Sequence, residues 1–298
     1  MLNRDLRKVA FVIFKPDVLQ QNLEQSVWAF FERRQIRLLA QKVDFITRDK
    51  RKQLYIDFHV SSKTNWDLGT EFYELGPALF LIVYGDFPST YNSLGEYISS
   101  ELKGSFVPEE AKSGTVRGDF NSINPVFNLI HSSDNTNKAL REIQIFFTRD
   151  ELFSLIRDMR LKKLDLSFKD ELQPKEYNFY SLFYKVKLEL LKSVKIDGTL
   201  DEQHHDYLKT SLEALERITS RKEKRQKLLH LLTEEHQKYT QAGEYPRSLL
   251  RELSEYWRFP QLNYEKLFEQ LYKGGVTLNS WERYLLKSTM FYITFKLE

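Results

Sequence analysis

Strand-length apolar runs are concentrated in the first half of this chain, and that asymmetry limits its fold more than any other feature. Residues 8–14 read KVAFVIF and residues 78–84 read ALFLIVY. Runs so short and so rich in Val, Ile, Leu and Phe suit buried strands. Between them Leu23, Val27, Phe30 and Phe31 recur every three or four residues, predicting an amphipathic helix over 23–34. A second strand is expected over 36–46, short helices over 48–73 and a helix over 92–102. A loop punctuated by Gly104, Pro108, Gly114 and Gly118 follows. Ser133 and Asp134 are expected to cap a helix leading into a last strand over 143–147. This order predicts an α+β fold, an antiparallel sheet with helices on one face.

After Thr148 apolar residues recur at helical spacing and strand-like runs become scarce. The expected division is therefore 1–149 and 150–298, the second part a mostly α-helical domain of unknown role. Helices are predicted over 177–195, 222–240, 246–257, 264–272 and 280–294. Asp197-Gly198 marks a break, after which Thr199 and Glu202 have capping-box spacing ahead of Leu208, Leu212 and Leu215. Gly274-Gly275 lacks the Lys-Ser/Thr of a phosphate loop and reads as a helix break.

At 298 residues and 41% hydrophobic content, the chain can build two modest cores. No apolar stretch is long enough to cross a bilayer and the amino terminus is charged, so a cytoplasmic protein without a membrane partner is expected. The absence of cysteine excludes disulfides and cysteine-ligated metal centres. Residues 1–150 carry 19 basic and 19 acidic side chains, and 151–298 carry 26 and 23, so the +3 excess lies in the second half. So small an imbalance predicts no specific nucleic-acid partner. The basic run Arg217, Arg221, Lys222, Lys224, Arg225 and Lys227 reads as a solvated helix face. His204 and His205 are adjacent and do not share a helix face as a metal pair would.

Four segments, FKPD, LYIDF, SGTVRGDF and NLIHSSD, occur in an order and at spacings that resemble nucleoside diphosphate kinases across residues 8–147. The resemblance implies a ferredoxin-like fold and a phosphotransferase that works by double displacement. The terminal phosphate of ATP or another nucleoside triphosphate would pass to His131, and from there to a nucleoside diphosphate. It also implies that Lys15, Tyr55 and Arg117 handle phosphate and that Asn128 lies near the sugar. Ser133 and Glu142, the latter eleven positions after His131, would support the imidazole. These residue types suit the chemistry. A histidine attacks only through an unprotonated ring nitrogen, and a carboxylate on the other nitrogen fixes the tautomer. Phosphoryl transfer otherwise needs alignment and compensation of negative charge. Mg2+ is the expected cofactor, held through the nucleotide phosphates rather than by a protein cage. A homo-oligomer is implied as well, with a protein partner for the helical half.

The chain also departs from the pattern. The segment HVSSKTNWDLGTEFYELGP (59–77) is altered and lengthened, and Trp66 either stacks on the base or packs the helical pair onto the body. Phe106 and Ser100 stand where the family has a phosphate-binding threonine and a second arginine. An insertion lies between Tyr84 and Gly104, and either Lys103 or a basic residue of the second domain is expected to compensate. The alternatives are a specialised histidine-dependent phosphotransferase with a different acceptor, and a nucleotide-binding regulatory or interaction module without turnover.

Overall fold

Each residue of β1 (Val9–Phe14) is buried, so both faces of this strand must be covered. The computed structural model describes residues 5–57, 63–158, 161–167, 175, 177–193, 199–240 and 245–295. Within it β1 runs into α1 (Pro16–Gln20) and α2 (Glu24–Glu32), then β2 (Arg37–Asp44), α3 (Arg48–Leu54) and α4 (Lys63–Glu74). The strand β3 (Ala78–Tyr84) follows, then α5 (Leu94–Tyr97), α6 (Val116–Asp119), β4 (Ile130–Ser132), α7 (Thr136–Phe146) and α8 (Arg149–Asp158). The sheet order is β2-β3-β1-β4 and every pairing is antiparallel. That is the ferredoxin-like arrangement, in which β3 lies between the first two strands.

Alternation along β1 divides the core in two. Ala10, Val12 and Phe14 join Val27, Trp28, Phe30 and Phe31 of α2 in one cluster. On the opposite face Phe11 stacks on Phe146 of α7 at 5.6 Å, and Phe80 stacks on the same ring at 4.1 Å. Helices therefore cover both faces of the sheet, where the sequence predicted one.

Two further expectations change here. Residues 143–146 are the last turn of α7 and not a strand, and the helix is capped by Asn135, whose side chain accepts from Lys138 N, rather than by Ser133 or Asp134. Ala139, Glu142, Ile143 and Phe146 are its buried positions, a helical spacing that a short apolar run conceals. The fourth strand is instead β4, only three residues long.

The chain divides into compact units at 176/177, so the boundary expected at 149/150 falls inside the first. Residues 149–158 and 161–165 belong with the sheet. Lys42 pairs with Glu151 at 3.1 Å, Lys162 N donates to Leu38 O at 2.8 Å, and Gln41 exchanges hydrogen bonds with the main chain of Asp165.

The second unit consists of α9 (Phe179–Ser193), α10 (Thr199–Glu216), α11 (Arg221–Tyr239), α12 (Arg247–Glu252), α13 (Tyr264–Lys273) and α14 (Ser280–Tyr292). Leu208 and Leu215 are fully buried on α10, while Leu212 is half-buried. Asp197 and Gly198 lie outside the described residues, as does the side chain of Thr199. Gly274 ends α13, and Gly275 takes φ +83°, a helix stop. Lys187 and Glu235 form a fully buried ion pair, with His204 Nε2 on the other carboxylate oxygen at 3.1 Å and its ring stacked on Tyr239. Arg225 departs from the expected solvated face. It is buried and donates to the carbonyls of Tyr292, Ile293 and Phe295, satisfying the end of α14. No helix among the described residues is long and apolar enough to cross a membrane.

Candidate active site

The pairing of β4 with β1 places His131 opposite Ile13, two residues before Lys15 at the amino end of α1. Lys15 N donates to Leu129 O at 2.8 Å, so the end of β1 is tied to the entry of β4. Leu129 is held at φ +70°, a conformation that costs a non-glycine residue about 1–2 kcal/mol. Asp17 compensates, because its Oδ2 accepts from Leu129 N at 2.9 Å. This carboxylate is buried, and burial pushes its pKa up against the opposing charge of Lys15.

His131 itself is fixed by α7. Its Nε2 lies 2.9 Å from Glu142 Oε2, and Ser133 Oγ donates to the same oxygen at 2.6 Å. An ionised carboxylate only accepts, so Nε2 carries the proton and Nδ1 keeps its lone pair. Glu142 is nearly inaccessible, 3% exposed at its side chain, whereas the imidazole is 16% exposed. The tautomer is thus set from the interior.

Cations surround this group. Lys15 Nζ donates to Asn128 Oδ1 at 2.7 Å and to Val126 O, and sits 4.5 Å from the ring centroid of Phe72. Burial lowers its pKa to about 7, partly offset by Asp17. Arg117 is buried and donates to the carbonyls of Asn128 (2.9 Å), Ile130 (2.9 Å) and Gly104 (3.1 Å). Burial brings it down to about 10, which leaves it charged at neutral pH. Two of these bonds, to Asn128 and Ile130, hold the start of β4, the strand that carries His131. Asn128 turns its amide N–H to Pro125 O at 2.7 Å, so its carbonyl faces Lys15.

Tyr55 meets the His131 ring edge to face at 5.6 Å, and its hydroxyl shares a 3.0 Å hydrogen bond with Tyr73. Burial raises the pKa of both phenols. Trp66 stands one step further out. Arg51 lies 3.9 Å over its ring and 5.4 Å from that of Tyr55, and donates to Thr70 Oγ1 at 2.8 Å. Gly69 makes this possible, because a Cβ there would stand 2.2 Å from Arg51 Nη2. One face of Trp66 is therefore taken by a guanidinium. Ser100 and Phe106 are both exposed, Phe106 by 43%.

The structure thus gathers Lys15, Tyr55, Arg117, Asn128, His131, Ser133 and Glu142, and reaches Trp66 only through Arg51. Sequence reasoning gave no role to Asp17, Tyr73 or Arg51. Asp17 was visible as the last letter of FKPD, whereas nothing local in the sequence marks the other two.

A model of the family described as Nucleoside diphosphate kinase matches residues 8–152. The nucleoside diphosphate kinase of Ehrlichia ruminantium is 34% identical over 143 residues, covering 48% of this chain and 93% of that protein. The chain belongs to the nucleoside diphosphate kinase family. That of Sulfurisphaera tokodaii is 30% identical over 153 residues, 51% of this chain and 96% of its own. A crystal structure of a nucleoside diphosphate kinase family protein from Babesia bovis aligns with 56% of this chain and 99% of its own, at 27% identity and a TM-score of 0.41. The protein is a nucleoside diphosphate kinase-like phosphotransferase, and the matched segment ends within α8.

Proposed function

We propose that this chain transfers the terminal phosphoryl group of ATP or another nucleoside triphosphate to a nucleoside diphosphate through a phosphohistidine at His131. The observation that carries the reading is the single Glu142 oxygen that accepts from both His131 and Ser133, leaving Nδ1 as the reactive nitrogen. The Nδ1 lone pair attacks the γ-phosphorus while the bond to the β,γ-bridging oxygen breaks, and the diphosphate leaves with that electron pair. Positive charge developing on the ring is met by Glu142. An incoming diphosphate then attacks phosphohistidine, and the P–N bond electrons return to Nδ1. Lys15 and Arg117 compensate the charge on the phosphoryl oxygens, Tyr55 supplies a hydroxyl, and Asn128 sets the position of Lys15.

Buried cations demand anions. Lys15, Arg51, Lys103 and Arg117 lie close enough together for their charges to act on one another. Among the described residues no group of three His, Asp or Glu side chains is placed to hold a metal ion. This donor set fits Mg2+ carried on the nucleotide phosphates, where it would neutralise phosphate charge.

Arg51 over Trp66 favours the second reading, a phosphotransferase whose acceptor differs from an ordinary nucleoside diphosphate, because the ring face turned to the guanidinium is closed to a base. A chase decides between them. Protein labelled with γ-labelled ATP and Mg2+ is mixed with a panel of diphosphates. Discharge by ADP, GDP or CDP supports the first reading, retention of label against all of them supports the second, and failure to take label at all supports a binding module without turnover. A homo-oligomer would assemble away from the outer edge of β2 at Leu38 and Gln41, where residues 162–165 already pair.

A further inference from the structure

The segment after α5 does not continue as an ordinary helix. Ile98–Leu102 forms a wide π-turn, closed by Lys103 N donating to Ile98 O at 2.8 Å. Such turns are uncommon and concentrate at functional sites. This one is pressed against the chain just beyond His131. A Cβ on Gly95 would stand 2.9 Å from Ser133 O, and Ser99 Oγ donates to Asp134 Oδ1 at 2.7 Å. On its other side Arg117 N donates to Lys103 O at 3.1 Å, and Arg117 Nη1 to Gly104 O at 3.1 Å. Gly104 takes φ +86°, and a Cβ there would meet Thr115 Oγ1 at 2.4 Å, so glycine is required for this close approach.

Lys103 is thereby placed between Arg117 and the turn that follows the nucleophile. Its side chain is only 16% exposed. One of its three donors meets Ser99 Oγ at 2.8 Å, and Asp134 is 3.6 Å away. That carboxylate is already committed, accepting from Ser99 on one oxygen and from Lys138 on the other at 2.8 Å. Burial and the neighbouring charge of Arg117 lower Lys103 to about 8, against the pull of Asp134 and Glu142. A mostly buried cation with a third donor beyond those turned to Ser99 and Asp134, lying between Arg117 and the turn that follows His131, is arranged for an incoming anion.

We propose that Lys103 is a substrate-contacting residue of this site, donating to a phosphate oxygen of the bound nucleotide beside His131. It transfers no proton. The inference rests on the reading of the site as a nucleotide phosphate site but not on the covalent step, so it is tested by binding. ADP affinity of the full chain is measured by calorimetry at pH 7 with Mg2+, for the wild type, Lys103→Met, Lys103→Arg and Ser99→Ala, alongside thermal melting of each. Loss of a charge-assisted contact predicts that Lys103→Met weakens ADP by about 10- to 100-fold, with Lys103→Arg recovering most of it. Ser99→Ala, which removes the resting acceptor of Lys103 and the bond from Ser99 to Asp134 but keeps the ammonium, is expected to bind ADP within about threefold of the wild type. Wild-type affinity in Lys103→Met overturns the proposal. So does a weakening that Ser99→Ala reproduces together with the same drop in melting temperature, since Lys103 would then only hold the π-turn. Failure of the wild type to label His131 refutes the covalent reading and leaves this comparison intact.

Discussion

Substituting Glu142 separates two things that one carboxylate oxygen does for His131. In the wild type Oε2 accepts from both Nε2 and Ser133 Oγ, while Oε1 lies 3.7 Å from Arg141. In Glu142→Gln the amide oxygen must take the Oε2 position, because an NH2 there would face two donors. The imidazole tautomer therefore survives and only the charge is lost. A charge-assisted hydrogen bond is roughly twice as strong as a neutral one, so the loss is about 1–1.5 kcal/mol. At 1.36 kcal/mol per tenfold, phosphorylation slows by about 5- to 13-fold. Glu142→Ala removes the acceptor as well, about 1.5–3 kcal/mol, and predicts about 13- to 160-fold. The assay is rapid-quench, single-turnover formation of acid-labile label from γ-labelled ATP, with circular dichroism to confirm folding. Wild-type labelling by Glu142→Ala, or equal rates for the two variants, refutes this division of roles.

Three further outcomes follow from the geometry. Lys15 and Lys103 are lowered to about 7 and about 8, so at pH 8 both are partly neutral in the free site, and an anion favours their charged forms. ADP binding at pH 8 should take up protons, seen by calorimetry in buffers of different ionisation enthalpy, and affinity should fall as pH rises from 7 to 9; proton release contradicts this. Asp17→Ala leaves Leu129 N without its acceptor and Lys15 without its nearest carboxylate. Denaturation should show a loss of about 1–3 kcal/mol with slowed labelling, and an unchanged midpoint argues against the clamp. Arg225→Met removes the donors to Tyr292, Ile293 and Phe295, so the helical signal should melt at lower denaturant by about 2–4 kcal/mol with the labelling rate of His131 unchanged.

The legible parts of the fold were those with a long enough local signal. β1 and β3 stood out as apolar runs, and α9, α11, α13 and α14 as periodic ones. β4 failed that test because three residues carry no period, so its identity depends on pairing with β1 across more than a hundred residues. The strand expected over 143–147 erred for a related reason. Ile143, Phe146 and Phe147 satisfy both a strand and the inner face of a helix, and stacking of Phe146 on Phe11 and Phe80 decides for the helix. The break between compact units lies beyond the expected boundary because Glu151, Lys162 and Asp165, in a stretch of helical or irregular sequence, bond to β2, a tertiary fact with no local mark.

Within the site, His131, Ser133 and Glu142 were singled out by the family resemblance, and their mutual bonds come from a strand and a helix meeting at one buried carboxylate. Arg117 was expected on phosphate, and its additional bonds to three carbonyls, two of them at the start of β4, had no mark in the sequence. Arg51 went unread because its meaning depends on Gly69 and Trp66 standing beside it.

The central claim is that His131 carries the phosphoryl group on Nδ1. The direct measurement is phosphopeptide mass spectrometry, joined to 31P NMR of the intact protein, after brief exposure to ATP and Mg2+. The account predicts one acid-labile phosphoryl group on Nδ1 of His131, absent from His131→Ala. An unmodified wild type, equal modification of His131→Ala, or phosphate on Nε2 would contradict it.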